Sequence, residues 1–278
     1  MSIKFSIAIA VHNEEKILPL TLPSVYALEP NEVIFGLDRC TDNTRKIIET
    51  EAFRHKSKTI LIEYTDKDGM NWNFRRAFLR WDTNIHANNE VIVNSAGDIR
   101  LDPNLREILK FIPSKYRLVS LGYLDYPWTL QTFLRYLAAK SHLFYGFSGV
   151  FAVSRSAWLE TESLEDLKKI YIGEDTHLHQ AVRGKYPTLY TNTSCLHLRP
   201  NENKSHHYRR GVAQWESLRK SYLQSFIHSF LLLRPAVFTG YRHARSGAIT
   251  ASKIAYLPVL FPEDLTNENV LKGSKRNH

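Results

Sequence analysis

The sequence predicts an α/β fold built on a mostly parallel, doubly wound sheet, and three features point to it. Short apolar runs at Phe5–Val11, Val33–Leu37, Thr59–Tyr64 and Glu90–Asn94 read as strands. Helical-period segments at Glu14–Ala27, Asn43–His55 and Trp72–His86 separate them, and strands alternating with helices fold as parallel βαβ units. The residues that follow each strand are polar and largely acidic, as expected where a ligand rather than a core lies beyond the strand end.

The elements can be justified in order. Ile17, Leu18, Leu22, Val25 and Tyr26 keep the spacing of one face of the first helix. Asp102-Pro103 supplies a capping residue and a proline at the first helical position, so a helix is expected over Asn104–Phe111. Arg117–Leu124 reads as a strand, Trp128–Tyr145 as an aromatic-rich helix and Gly149–Ser154 as another strand. Asp175–Tyr186 follows as a short helix and Thr188–Thr193 as a last strand. Ser205–Leu233 reads as one long helical stretch carrying His206, His207, Arg209, Arg210, Arg219 and Lys220, before a tail rich in Gly, Ser, Asn and Lys. A single hydrophobic core grows inefficiently beyond ~250–300 residues, so 278 residues suggest one main domain with an appendage. The expected division is a domain over 1–204, in two halves that meet at about 102–103, then a helical, basic and aromatic extension over 205–278.

Composition narrows the function. With 43% hydrophobic residues and 12% aromatics the chain folds rather than staying disordered. Lys and Arg total 37 against 28 Asp and Glu, a net charge of +9 that favours an anionic partner: nucleic acid, a phospholipid surface or a phosphorylated small molecule. Cys40 and Cys195 are the only cysteines, too few for a disulfide framework, which fits a reducing cytoplasm. The first apolar run is too short and too quickly followed by His12-Asn13-Glu14-Glu15 to be a signal peptide. The most apolar later stretch, Tyr222 to Tyr241, is broken by His228, Arg234 and Pro235, so no bilayer span is expected.

In an open parallel sheet the chemistry sits beyond the carboxyl ends of the strands. Here those ends are Val11-His12-Asn13-Glu14-Glu15, Asp38-Arg39-Cys40-Thr41-Asp42 and Asn94-Ser95-Ala96-Gly97-Asp98. Neither GxGxxG after the first strand nor GxxxxGK[ST] occurs, so phosphates must be neutralised in another way. A divalent cation on an Asp that follows a strand would do it, and Asp98 is the candidate; a lone Asp there would otherwise be a turn or cap.

In this order and spacing the motifs resemble those of the inverting GT-A-fold glycosyltransferases of family 2, which include cellulose, chitin and dolichyl-phosphate-sugar synthases. The resemblance spans about residues 3–200 and implies a donor half over about 1–102 and an acceptor half over about 103–204. It implies that the first strand and its Asn-Glu-Glu turn, with Ala10, Val11, Asn13 and Glu14, touch the nucleotide, and that Asp38 contacts a uracil or guanine. The family's Asp-x-Asp appears as Ala96-Gly97-Asp98, where Ala96 replaces the first Asp while Gly97 and Asp98 keep the donor and metal positions. Gly173-Glu174-Asp175 resembles the family's acidic pair, which makes Asp175 the implied general base and Glu174 a group that orients it or holds the acceptor. Cys195-Leu196-His197-Leu198-Arg199-Pro200 resembles the place where relatives put a metal-binding His, here His197. An O,N ligand pair leans toward Mn²⁺ over Mg²⁺. Asn71 and Arg75 stand where the family faces the diphosphate, and Gly146-Phe147-Ser148-Gly149 where it borders the acceptor. The implied reaction is metal-assisted single displacement with inversion, from a UDP- or GDP-sugar to an acceptor glycan hydroxyl or a polyprenyl-phosphate lipid.

Residues 205–261 allow two readings. Either a basic face meets anionic headgroups while Phe226, Phe230, Leu231 and Leu232 enter the acyl boundary, or those apolar residues pack on the catalytic domain and the basic ones face water. The first would place a cytoplasmic enzyme at the membrane surface. Two rival functions are a sugar nucleotidyltransferase, which would carry a Gly-rich basic loop after its first strand, and a nucleic-acid-binding protein, whose phosphates the acidic strand ends would repel. No nucleic-acid partner is therefore expected.

Overall fold

A strand covered on both faces must be apolar nearly throughout, and β1 (Phe5–Val11) and β2 (Glu32–Asp38) are buried at nearly every residue. The computed structural model describes residues 3–65, 72–140, 149–168, 173–199, 204–216 and 219–250. β3 (Lys58–Tyr64) and β4 (Val91–Ala96) complete a parallel half-sheet in the order β3-β2-β1-β4. Beyond it the sheet becomes mixed. β7 (Phe151–Ser154) runs antiparallel to both β4 and β6 (Leu118–Asp125), β8 (Thr188–His197) pairs parallel with β6, and the two-residue β5 (Ile99–Arg100) closes the edge antiparallel to β8.

Alternation along β1 divides the core. Phe5, Ile7, Ile9 and Val11 enter one apolar cluster, which includes Leu18, Leu22 and Ile48, while Ala8 enters the other, with Ile34, Ile92, Val153 and Trp158. The helices α1 (Leu18–Tyr26), α2 (Thr44–Phe53), α3 (Trp72–Ile85), α4 (Leu105–Leu109) and α5 (Leu130–Lys140) follow the expected order. α1 begins four residues later than its periodicity suggests, because Pro19 sits in its first turn, where a missing N–H costs nothing. The expected helix beyond Lys140, over 141–145, lies outside the described residues. α6 (Arg155–Thr161) and α7 (Leu164–Leu167), capped by Ser154 and Ser163, were not foreseen; α8 (Glu174–Lys185) was.

The C-terminal part departs most from expectation. Instead of one long helix over 205–233 there are two, α9 (Lys204–Glu216) and α10 (Tyr222–Leu231), then α11 (Pro235–Arg245). The break has a local cause, since Ser221 and Gln224 form a reciprocal capping box that starts α10 afresh. α9 and α11 cross in backbone contact: a Cβ placed on Gly211 would lie 1.9 Å from the Val237 carbonyl oxygen, and one on Gly240 2.1 Å from that of Tyr208. The apolar residues of α10 do not pack inward as one reading expected. Phe226, Phe230 and Leu231 are exposed, and of the four only Leu232 is buried. No helix among the described residues is long and apolar enough to cross a membrane.

Candidate active site

The loops after β1 and β2 are tied to each other. The Asn13 side-chain oxygen accepts from the Thr41 amide at 2.8 Å, and a Glu15 carboxylate oxygen accepts from the Asn43 amide and side chain at 3.1 and 3.0 Å. In return Asp42 accepts from the Glu15 amide at 3.1 Å, and the Thr44 hydroxyl from the Glu14 amide at 2.6 Å. Asn13 (φ 50°), two residues past β1, and Arg39 (φ 49°), directly after β2, both adopt the left-handed region, a conformation that Asn tolerates and Arg holds only under constraint. Arg39 supplies that constraint by gripping both oxygens of Asp38 at 2.9 and 3.3 Å, so that Asp38 is buried beneath it.

β4 delivers Asp98 by a close passage. A Cβ on Gly97 would come within 2.9 Å of Val11 and 3.2 Å of Glu14, so only glycine lets this turn lie against the end of β1. The half-buried Ala10 pairs with Ala96 in the sheet register just before it. β8 runs four residues further than expected and so carries His197 to the same place, its Nε2 3.3 Å from an Asp98 oxygen. On its far side His197 Nδ1 meets Asp125, at the end of β6, at 2.8 Å. Arg199 approaches Asp98 at 3.7 Å and bonds the buried Glu14.

Electrostatics follow from this enclosure. Burial opposes the His197 charge, but hydrogen bonds to Asp125 and Asp98 outweigh it and raise the imidazole to about 10. Burial would lift Asp98, yet His197 and Arg199 hold it below the ordinary carboxylate value. Glu14 is pushed up to about 7, chiefly by burial, with Asp98 adding to the rise and Arg199 working against it. A histidine whose folded value is raised stabilises the fold fully below its unfolded value and loses that contribution as pH climbs through the folded one. Metal-free protein is therefore expected to lose on the order of a few kcal/mol of stability between about pH 6.5 and 10. Denaturation in EDTA across that range checks this, and His197→Gln should flatten the slope.

Asp175 sits in the first turn of α8, whose N-cap Gly173 has φ 84°. One of its oxygens accepts from the Thr176 amide at 2.7 Å, and the other lies 3.8 Å from where a Gly149 Cβ would be. Because Phe151 pairs with Asn94 and the Val150 carbonyl accepts from Leu121, Gly149 and hence Asp175 stand at the sheet edge where β4 and β6 end. Glu174 is half-buried beside it. Burial disfavours charge on Arg80, but its ion pair with Glu162 at 2.6 Å, helped by Glu174 and Asp175, restores it. Asn71 lies outside the described residues, as do 146–148, and of Arg75 only the backbone, within α3, is described.

Two residues of the cluster were missed by sequence reasoning. Asp125 carried a signal, since it ends a strand just as Asp38 and Asp98 do. Arg199 carried none, because an arginine two residues past a strand reads as ordinary surface.

Residues 6–156 match the family model described as Glycosyl transferase family 2. The chain belongs to this family. The crystal structure of S. aureus TarS 1-349 in complex with UDP-GlcNAc is similar with a TM-score of 0.54 at 15% identity, covering 91% of this chain and 78% of that one. A second crystal structure of S. aureus TarS 1-349 gives 0.53 at 16%, covering 87% of this chain and 74% of that one. Against the longer S. aureus TarS the values are 0.53 and 16%, covering 84% of this chain and 43% of that chain, so the present chain spans less than half its length. Identities this low speak for the GT-A fold alone. Among curated proteins, none matches this sequence.

Proposed function

We propose that the chain transfers a sugar from a UDP- or GDP-sugar to an acceptor nucleophile, a glycan hydroxyl or a lipid phosphate, by single displacement with inversion. The observation that carries this reading is the convergence of Asp98, His197, Asp125 and Arg199 at the ends of three strands. Asp125 on Nδ1 orients the imidazole so that Nε2 turns to Asp98, the arrangement by which a carboxylate prepares a histidine to bind a metal. Asp98 and His197 would hold a divalent cation, Mn²⁺ or Mg²⁺, and no closed cage of three or more ligating side chains exists among the described residues. A two-ligand site suits a cation that shares its remaining positions with diphosphate oxygens. Such a cation, when bound, would offset charge on the departing nucleoside diphosphate.

The remaining roles belong to the chain itself. Arg199, half exposed between Glu14 and Asp98, offers a fixed positive charge to the diphosphate. The linked loops at 12–15 and 38–44 would cradle the nucleoside, with Arg39 moving aside if Asp38 is to receive a base N–H. Asp175 takes the proton of an attacking hydroxyl, oriented by Glu174. We assign these steps to residues 1–204, with α9, α10 and α11 in the extension that follows.

The reading is tested by thermal shift of the protein with UDP- and GDP-sugars, with and without Mn²⁺ or Mg²⁺. Metal should strengthen nucleotide binding in the native chain and not in Asp98→Asn. Because a bound metal must displace the His197 proton, its affinity should rise with pH, up to about tenfold per unit below the imidazole value. No shift with any nucleotide sugar, or an unchanged metal response in Asp98→Asn, would remove the basis of the proposal.

A further inference from the structure

We infer that α5 and α10 together form a surface that docks on an anionic lipid bilayer. α10 is amphipathic in reverse: its buried residues are Ser225 and Ser229, whereas Leu223, Phe226, Ile227, Phe230 and Leu231 are exposed. Both serines are committed inward, Ser225 donating to Gln214 at 2.8 Å and Ser229 to the Arg234 carbonyl at 2.5 Å, so the helix is locked with its apolar side outward. Those side chains lie at helical spacing, with Leu223 64% and Phe230 70% exposed, a stripe that water alone would disfavour.

The catalytic part contributes a second stripe. Leu130, Phe133 and Leu137 share one side of α5, and Trp128 precedes them, with Leu130 66% and Trp128 53% exposed. Gln131 joins the two helices, donating to the carbonyls of Leu232 at 3.0 Å and Leu233 at 3.4 Å. Aromatic and aliphatic side chains on two linked helices can enter the headgroup and acyl boundary together.

Charge selects the occupant. Residues 204–250 hold eight Lys and Arg against the single acid Glu216, so seven of the nine net positive charges lie there; Arg209 and Arg234 are buried, whereas Arg219, Arg242 and Arg245 are exposed, and 127–140 holds Arg135 and Lys140 with no acid. Arg245 sits 5.3 Å over the ring of Tyr222 at the start of α10, and the exposed Arg219 lies just before it. A second copy would bring the same cations against each other across a two-fold axis. A negative bilayer meets the apolar stripes and the cations at once.

The test is flotation of the full chain with vesicles of phosphatidylcholine alone or mixed with phosphatidylglycerol. Binding is expected to the mixed vesicles and to be much weaker without the anionic lipid. Phe230→Glu and Leu130→Glu should each weaken it roughly tenfold or more, since each keeps a large side chain out of the acyl region and adds a repelled charge. Failure to float, equal binding to neutral vesicles, or no effect of Leu130→Glu would overturn the two-helix surface. So would a dimer in sedimentation that Phe230→Glu converts to monomer. Both variants should keep their thermal shift with nucleotide sugar, so a chain that floats but binds no donor would sink the proposed reaction and leave this surface standing.

Discussion

Asp175→Asn is expected to lower glycosyl transfer by about 10²–10⁴-fold while leaving nucleotide-sugar binding intact, the range associated with removing a positioned general base. The argument is geometric. Asp175 keeps one oxygen on the first turn of its own helix and the other toward Gly149, on the side of the sheet where β4 and β6 end, which suits the acceptor-facing role proposed for it. Asparagine preserves the size of the side chain and the bond to the Thr176 amide but cannot take a proton. Turnover and donor affinity, measured separately, decide the matter: a parallel loss of both would make Asp175 a structural cap, and unchanged turnover would dismiss it as the base.

The second large effect belongs to Gly211. Alanine there would place its methyl carbon 1.9 Å from the Val237 carbonyl oxygen and 2.8 Å from the Tyr241 nitrogen, and backbone atoms cannot step aside as a flexible side chain would. α9 and α11 must separate, at a cost of about 1–3 kcal/mol or more. Faster amide exchange is expected in α9 and α11, with β1 to β4 as protected as before. Gly184→Ala is the control: its Cβ would meet nothing within 4 Å and it lies inside α8, so a gain of up to about 1 kcal/mol is expected. Unchanged exchange in Gly211→Ala would mean that the two helices are not packed as described.

How much of this was legible in the sequence depended on burial. β1, β2 and β4 announce themselves because sheet residues covered on both faces leave continuous apolar runs, whereas β8 is mostly half-exposed and its continuation to His197 leaves no such trace. β5 has only two residues, and no periodicity can be read from two. Asp38 and Asp98 stand out in the sequence by the rule that ligands gather beyond strand ends, and Asp125 obeys that rule equally. The reversal of α10 was invisible for another reason: a helical repeat gives the spacing of an apolar stripe but never states which way it faces. Only the commitments of Ser225 and Ser229 reveal that.

The stitching between the two loops proposed to cradle the nucleoside bears on engineering. Asn13 and Glu15 spend their side chains on the backbone at Thr41 and Asn43, and Asp42 and Thr44 return the favour to Glu15 and Glu14. A chimera that imports one loop from a relative with another base preference would arrive with half a lattice and nothing to fasten it. Changing the preferred nucleotide should therefore require transplanting residues 12–15 and 38–44 as one piece.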